Sequence, residues 1–164
     1  MSKTFRVGIA GYGIVGKRRR LFIDHHPKLQ TVAICDRSFS EEAVLDDGVR
    51  CYKHYERLLN ESLDILFVCL PNDMAPVVTI AGLEKELHVF CEKPCATRFD
   101  EFCHQIKLEQ ENPDRITYVN YLMNFDLRGS SIMISLSLSL SLSLSLPLIL
   151  SLSLSLPMNV YIEI

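Results

Sequence analysis

The stretch Phe5-Arg-Val-Gly-Ile-Ala-Gly-Tyr-Gly-Ile-Val-Gly16 joins a short apolar run to three glycines spaced as G-x-G-x-x-G. This order predicts a strand, a tight turn and the start of a helix. Gly11 allows the turn, Gly13 lets a pyrophosphate approach the backbone, and Gly16 lets the helix pack closely on the strand. Free N–H groups at the helix start would bind the anion, and a turn without a ligand is the alternative. The other residues expected to border the dinucleotide here are Tyr12, Ile14 and Val15.

Asp36 ends the second predicted strand and lies 20 residues after Gly16. A carboxylate at this point can accept hydrogen bonds from the ribose hydroxyls of adenosine, and it repels a 2′-phosphate. This favours NAD over NADP as the cofactor. Arg37 leaves NADP possible, since a guanidinium there can stack on adenine or pair with a 2′-phosphate. A solvent-facing turn aspartate is the alternative interpretation of Asp36.

Short apolar runs alternate with longer helical patterns from Phe5 to about Asp126. This alternation predicts an α/β fold with a doubly wound, mostly parallel Rossmann sheet. The predicted strands are Phe5–Ala10, Leu29–Asp36, Val49–Tyr52, Asp64–Leu70, His88–Cys91 and Arg115–Val119. The predicted helices are Ile14–His25, a short one after Ser38 in the capping-box pattern Ser38-x-x-Glu41, Tyr55–Asn60, Ala75–Glu86 and Arg98–Gln110.

The end of the chain differs in composition from the rest. Residues 1–128 are expected to form an NAD(P)-binding domain, and residues 129–164 a low-complexity Ser-Leu tail, with no substrate domain before the last residue. As a single strand the run Ser135–Leu156 would extend roughly 70 Å, against a radius of gyration of about 14 Å for the domain. A CT dinucleotide repeat encodes only Leu and Ser, so we interpret the tail as disordered or as a translated microsatellite. A membrane segment is not expected, because nine of the 22 residues in this run are Ser and Pro147 interrupts it.

Composition excludes several other classes of protein. The net charge is −3 and the Lys and Arg residues are dispersed, so no nucleic-acid partner is expected. The six cysteines lack paired C-x-x-C spacing and the five histidines lack ligand spacing, which predicts reduced thiols and no metal site. Residues 1–10 hold no apolar stretch long enough for a signal peptide, so a cytoplasmic location is expected. The basic run Lys17–Arg20 is interpreted as a solvated helix face, with a contribution to pyrophosphate binding as the alternative.

Two further loops follow predicted strands, at the edge where an open parallel sheet holds its ligand. Leu70-Pro71-Asn72 forms the first and Cys91-Glu92-Lys93-Pro94 forms the second. Lys93 supplies a movable cation suited to orienting a substrate hydroxyl or the nicotinamide ribose. An exposed Glu92–Lys93 ion pair without a catalytic role is the alternative.

The order of G-x-G-x-x-G, Asp36, Leu70-Pro71-Asn72 and His88-Val-Phe-Cys-Glu-Lys-Pro94 resembles the Gfo/Idh/MocA oxidoreductases. The resemblance covers about Phe5 to Asp126. It implies an NAD(P)-dependent enzyme that transfers hydride to or from a sugar, inositol or related polyol. It also implies that Lys93 is the catalytic residue, that the Lys93–Pro94 bond is cis, and that Leu70, Pro71, Asn72 and Glu92 border the cofactor.

Members of this family complete proton transfer, and build much of their oligomer interface, with a second domain. Because the Ser-Leu tail stands where that domain would begin, the chain as written is expected to be inactive and to lack the oligomer interface. The alternative function is a non-enzymatic dinucleotide-binding module or a defective fragment.

Overall fold

The computed structural model describes residues 3–120, 122–126 and 131–135. Strands and helices alternate along the first of these ranges. The strands are β1 (Phe5–Ala10), β2 (Leu29–Cys35), β3 (Ala43–Val44), β4 (Arg50–Tyr52), β5 (Ile65–Val68), β6 (His88–Glu92) and β7 (Thr117–Asn120). The helices are α1 (Ile14–His25), α2 (Tyr55–Leu58), α3 (Ala75–Glu84) and α4 (Phe99–Glu111). A separate antiparallel pair consists of β8 (Leu122–Asp126) and β9 (Ser131–Ser135).

The seven strands of the main sheet lie in the order β3-β4-β2-β1-β5-β6-β7. All neighbours are parallel except β3, which runs antiparallel to β4. The chain leaves β1 toward β2 on one side and later returns to place β5 on the other side. This reversal makes a crevice at the carboxyl ends of the strands, the place where doubly wound sheets bind ligands. The predicted α/β Rossmann fold is confirmed.

Apolar side chains cover both faces of the sheet, because successive strand residues point to opposite sides. Leu66 and Val68 belong to the core cluster that also includes residues of α2, α3 and α4. Ile9, Phe67 and Ile23 belong to the cluster on the other face, under α1. Leu66 and Ile9 are completely buried, and burial of each contributes about 2 kcal/mol to folding.

The prediction of a short helix after Ser38 is wrong. The Ser38 backbone N–H donates to Asp36 Oδ1 at 2.9 Å, and the Phe39 N–H donates to the Asp36 carbonyl oxygen at 3.1 Å. These local hydrogen bonds form a turn in place of a helix start. The chain then enters β3, and Gly48, with a φ of 85°, lets it reverse into β4.

Helix α4 is anchored to the segment that follows β6. The Glu101 carboxylate accepts hydrogen bonds from the backbone N–H groups of Thr97 and Arg98, at 2.9 and 3.1 Å, which satisfies donors at the helix start. Further along the helix, the buried Gln105 donates from Nε2 to the Cys95 carbonyl oxygen at 2.8 Å. The helix therefore fixes the chain immediately after Lys93-Pro94.

The predicted tail, apart from the residues of β9, lies outside the described residues. Among the described residues, none of the helices combines the length and the apolar composition that spanning a bilayer requires. All six cysteines are free thiols.

Candidate functional site

The turn from β1 into α1 contains three glycines with different local requirements. Gly11 has a φ of 91°, and a Cβ there would lie 2.3 Å from the carbonyl oxygen of Cys69. A Cβ on Gly16 would lie 1.9 Å from the carbonyl oxygen of Gly11. By contrast, a Cβ on Gly13 would meet no atom of the described chain within 4 Å. Packing therefore requires glycine at the first and third positions, whereas glycine at the second leaves the backbone open to a ligand.

The start of α1 carries uncompensated positive character. Gly13 is the N-cap, no side-chain hydrogen bond caps the helix, and its first turn contains no acidic residue. The first N–H groups of a helix lack partners inside the helix, and the helix dipole adds a partial positive charge there. A pyrophosphate fits this point because it would satisfy the N–H groups without displacing a side chain. The neighbouring Ile14 and Val15 side chains are exposed at the same helix start.

Asp36 follows β2 and lies against the glycine turn. Its Oδ2 accepts a hydrogen bond from the Tyr12 backbone N–H at 2.7 Å, and its Oδ1 accepts a hydrogen bond from the Ser38 backbone N–H at 2.9 Å. Partial burial raises the pKa of this carboxyl, but the hydrogen bonds from Ser38 and Tyr12 and the charge of Arg37 outweigh it, so the pKa is lowered. The group is therefore an ionised acceptor at neutral pH, beside the exposed Arg37.

The Tyr12 side chain points toward α1. Its hydroxyl oxygen accepts a hydrogen bond from Arg20 Nη1 at 3.0 Å, and its ring centroid lies 6.3 Å from that of Phe39. The backbone N–H of Tyr12 is meanwhile held by Asp36. The backbone and the side chain of Tyr12 thus both connect the glycine turn to its surroundings, and these contacts stabilise the shape of the turn.

The segment Leu70-Pro71-Asn72 lies beside the same turn. The Cys69 N–H donates to the Ala10 carbonyl oxygen at 2.7 Å, which joins the end of β5 to the end of β1. The Leu70 side chain approaches Gly11, since its Cδ2 would lie 3.2 Å from a Cβ built there. Pro71 and Asn72 are exposed at the strand edge, and the Pro71 carbonyl oxygen accepts the N–H groups that lead into α3.

Glu92 ends β6, and its partner comes from α1. Arg19 Nε donates to Glu92 Oε1 at 2.8 Å, and Nη2 of the same guanidinium contacts the same oxygen. Lys93 is exposed and forms no ion pair with any described residue. The alternative of an exposed Glu92–Lys93 ion pair is therefore wrong. The Lys93–Pro94 peptide bond is cis, which confirms the expectation from the family resemblance.

The interpretation of the basic run as a solvated helix face is wrong for half of it. Lys17 and Arg18 are exposed, but Arg19 and Arg20 are partly buried. Arg20 donates from Nε to Asp24 at 3.1 Å and also pairs with Asp47. The sequence does contain a signal for this arrangement. Arg19 and Arg20 are three and four positions after Gly16, and residues at these spacings share a helix face. Both arginines therefore lie on the side of α1 that packs against β1.

The predicted site residues lie together along one edge of the sheet. Strands β2, β1, β5 and β6 are neighbours in that order. Asp36 and Arg37 follow β2, the glycine turn follows β1, Leu70-Pro71-Asn72 follows β5, and Glu92 ends β6, immediately before Lys93. Along this edge lie the N–H groups at the uncapped start of α1, the ionised Asp36 carboxylate and the exposed ammonium group of Lys93.

The thiols near this edge are not nucleophiles. Burial raises the pKa of Cys69 to about 12, with a smaller contribution from the charge of Glu92. Burial likewise raises the pKa of Cys35 to about 11. Both groups therefore stay protonated at neutral pH. Within residues 3–120, no three His, Cys, Asp or Glu side chains are grouped so as to hold a metal ion.

Comparison with known proteins identifies a family whose model matches most of this chain. The model of the family GFO_IDH_MocA, described as an oxidoreductase family with an NAD-binding Rossmann fold, matches residues 5–121, which is well over half of the chain. Inositol 2-dehydrogenase of Salmonella typhimurium is 27% identical over an alignment of 129 positions that covers 75% of this chain and 38% of that protein. The chain therefore spans well under half the length of this curated relative.

Solved structures agree with the fold. The myo-inositol 2-dehydrogenase of Lactobacillus plantarum superposes with a TM-score of 0.61 at 25% identity, covering 72% of this chain and 36% of that one. Biliverdin reductase of Synechocystis, solved with biliverdin and NADP+, superposes with a TM-score of 0.63 at 25% identity, covering 71% of this chain and 37% of that one.

Proposed function

The chain belongs to the Gfo/Idh/MocA family of oxidoreductases with an NAD-binding Rossmann fold, and from this premise we propose that its crevice binds a nicotinamide dinucleotide for hydride transfer with a sugar, inositol or related polyol. The observation that carries the proposal is the open backbone at Gly13, at the uncapped start of α1. The inositol dehydrogenases among the relatives support a polyol as the substrate.

We propose that Gly11, Tyr12, Gly13, Ile14, Val15 and Gly16 hold the pyrophosphate and the ribose next to it. The free N–H groups at the helix start would donate to the phosphate oxygens. The ordered Tyr12–Asp36 hydrogen bond supports this role, because a turn that already has its shape loses little entropy when the ligand binds.

The Asp36 carboxylate is proposed to accept hydrogen bonds from the adenosine ribose. Each of its oxygens can accept more than one hydrogen bond, so the N–H donors of Tyr12 and Ser38 leave acceptor capacity for hydroxyls. Its negative charge disfavours a 2′-phosphate, which makes NAD the preferred cofactor. Arg37 stands beside it and can pair with a 2′-phosphate, so NADP is the second cofactor to test.

Lys93 is the proposed catalytic residue, and Leu70, Pro71, Asn72 and Glu92 are proposed to border the nicotinamide half. The nicotinamide, when bound, supplies the site that accepts or donates hydride. The Lys93 ammonium would donate a hydrogen bond to the reacting hydroxyl and orient it. Its exposure and lack of an ion-pair partner in the described chain leave it able to move toward a substrate.

For the 164 residues themselves, we propose binding of dinucleotide without turnover. The chain covers 38% of the Salmonella dehydrogenase, and residues 1–128 are proposed to be the cofactor domain alone. In this assignment residues 129–164 add no substrate-binding groups.

Calorimetric titration of the protein with NADH and with NADPH tests the proposal. We expect a dissociation constant at least about tenfold lower for NADH, because Asp36 repels the 2′-phosphate. Asp36→Ser removes that charge and keeps Arg37, so the difference between the two cofactors should shrink or reverse. Arg37→Ala is the matched control and should widen it. A folded protein that binds neither cofactor would overturn the proposal.

Turnover is measured separately, as NADH formed from NAD with myo-inositol or xylose. No steady-state formation is expected from the 164 residues. Sustained turnover would show that this chain holds a complete active site and would overturn the assignment as a binding domain.

A further inference from the structure

The ion pair between Arg19 and Glu92 joins the two halves of the proposed site. Arg19 lies in α1, whose start faces the glycine turn, and Glu92 is the last residue of β6. The two residues are 73 positions apart in the chain. The guanidinium places both Nε and Nη2 on Oε1 of the carboxylate. The contact therefore joins the end of β6 to α1, the helix that begins at the glycine turn.

The pair is held in a restricted environment. The Arg19 and Glu92 side chains are only 22% and 15% exposed. The Arg19 guanidinium also lies 4.9 Å from the centroid of the Phe90 ring. That ring stacks between Phe67 and Tyr118, at centroid distances of 4.6 and 4.9 Å. A guanidinium that contacts both an aromatic ring and a carboxylate has little freedom to rearrange.

The residue after Glu92 is Lys93, the proposed catalytic residue. Its own side chain has no partner in the described chain, so its backbone position depends on what holds its neighbours. Gln105 holds the Cys95 carbonyl oxygen on the far side, and Arg19 holds Glu92 on the near side. The segment that carries Lys93 is thus fixed at both ends, by α4 and by α1.

We propose that Arg19 is a positioning residue, which through Glu92 sets the distance between Lys93 and the pyrophosphate site at the start of α1. This inference rests on the proposed function. A dinucleotide spans both places, so its nicotinamide half would bind correctly only when this distance is right. The adenosine half, which lies at the glycine turn and Asp36, does not depend on the ion pair.

The two halves are separated by titrating the full chain with NADH and with ADP-ribose, which lacks the nicotinamide. Arg19→Met keeps much of the side-chain length and removes the charge. We expect it to weaken NADH binding by about tenfold, a usual size for coupling between contacting residues. ADP-ribose binding should change by less than about twofold, the scatter expected of independent sites. Arg18→Met, on the exposed side of the same helix, is the matched control and should change neither.

Action through Glu92 is tested by a double-mutant cycle. In a Glu92→Gln background, Arg19→Met should weaken NADH binding by no more than about twofold further. Arg19→Lys retains the charge without the two-nitrogen contact and should restore part of the NADH affinity. This variant also serves if Arg19→Met does not fold.

Each outcome has a definite meaning. Loss of NADH affinity with unchanged ADP-ribose affinity supports the proposal. A blue shift in the fluorescence of bound NADH that is smaller in Arg19→Met than in the unmodified protein also supports it. Equal loss for both ligands, or no loss for either, overturns it and makes the ion pair a purely structural contact. Failure of the unmodified protein to bind ADP-ribose contradicts instead the proposed function on which this inference rests.

Discussion

The Asp36 carboxylate accepts a hydrogen bond from the Tyr12 backbone N–H at 2.7 Å, and this contact joins the end of β2 to the glycine turn after β1. Its other oxygen accepts the Ser38 N–H at 2.9 Å, so one side chain orders the loops that follow two neighbouring strands. The turn is consequently shaped by the protein itself.

Replacing Asp36 by Asn should lower the free energy of unfolding by about 1 kcal/mol at pH 7. Hydrogen bonds to a charged acceptor are stronger than those to a neutral one, and the partial exposure of Asp36 reduces this difference. The pKa of Asp36 is lowered in the folded state, against the effect of partial burial, by hydrogen bonds from Ser38 and Tyr12. The stabilisation is therefore present in full above the unfolded-state pKa of about 3.9 and is lost as the pH falls through the lower folded-state pKa.

Urea denaturation of both proteins between pH 7 and pH 3 measures this dependence. The difference in unfolding free energy should be constant above about pH 5 and should shrink below about pH 4. A difference that does not vary with pH would mean that the charge of Asp36 contributes nothing to the fold.

Alanine at the glycines of the turn should separate folding from binding. Gly16→Ala places a Cβ 1.9 Å from a backbone oxygen, and the resulting shift should cost about 1–3 kcal/mol of stability. Gly13→Ala meets no described atom within 4 Å and should change stability by less than about 0.5 kcal/mol. It should nevertheless weaken NADH binding by at least about tenfold, because the Cβ occupies the approach to the helix N–H groups. Thermal melts and NADH titrations of both variants give these values, and normal binding by folded Gly13→Ala would contradict the proposed pyrophosphate position.

Gln105→Leu should destabilise the protein by about 1–3 kcal/mol, because it removes a buried hydrogen bond from Gln105 Nε2 to the Cys95 carbonyl oxygen. Gln110→Leu on the exposed side of the same helix is the matched control and should stay within about 0.5 kcal/mol of the unmodified protein. Chemical denaturation measures both. Equal stabilities of the two variants would show that the Gln105 hydrogen bond does not hold the segment after Lys93-Pro94.

Cys103 should react with Ellman's reagent much faster than the other cysteines of the folded protein. It is the exposed thiol, whereas burial raises the pKa of Cys69 and of Cys91 to about 12. Thiolates are the reactive form, so at pH 8 the thiols of Cys69 and Cys91 remain protonated and react slowly. Cys103→Ser should remove the fast phase of the reaction. A fast phase that persists in this variant would indicate that the core opens readily.

The candidate site was predictable in large part because its signals are local. The bounds of β1 and α1 agree with the predicted ranges, since apolar periodicity and glycine spacing act over a few residues. Asp36 and Lys93 were identifiable because strand ends in a parallel sheet meet at one edge. The prediction of a helix after Ser38 is wrong because of a competing local hydrogen bond. The capping-box pattern competes there with the carboxylate of Asp36, and the turn around that carboxylate formed instead.

By itself the sequence determined the alternation of strands and helices, the glycine turn and the set of residues at its edge. Only the tertiary structure decided that Arg19 pairs with Glu92, so that Glu92 does not pair with the adjacent Lys93, and that Asp36 ties the glycine turn to β2. The physical reason is that hydrogen bonds and ion pairs depend on distances of a few ångströms. For residues far apart in the chain, those distances exist only after the strand order β2-β1-β5-β6 has brought α1 beside the end of β6.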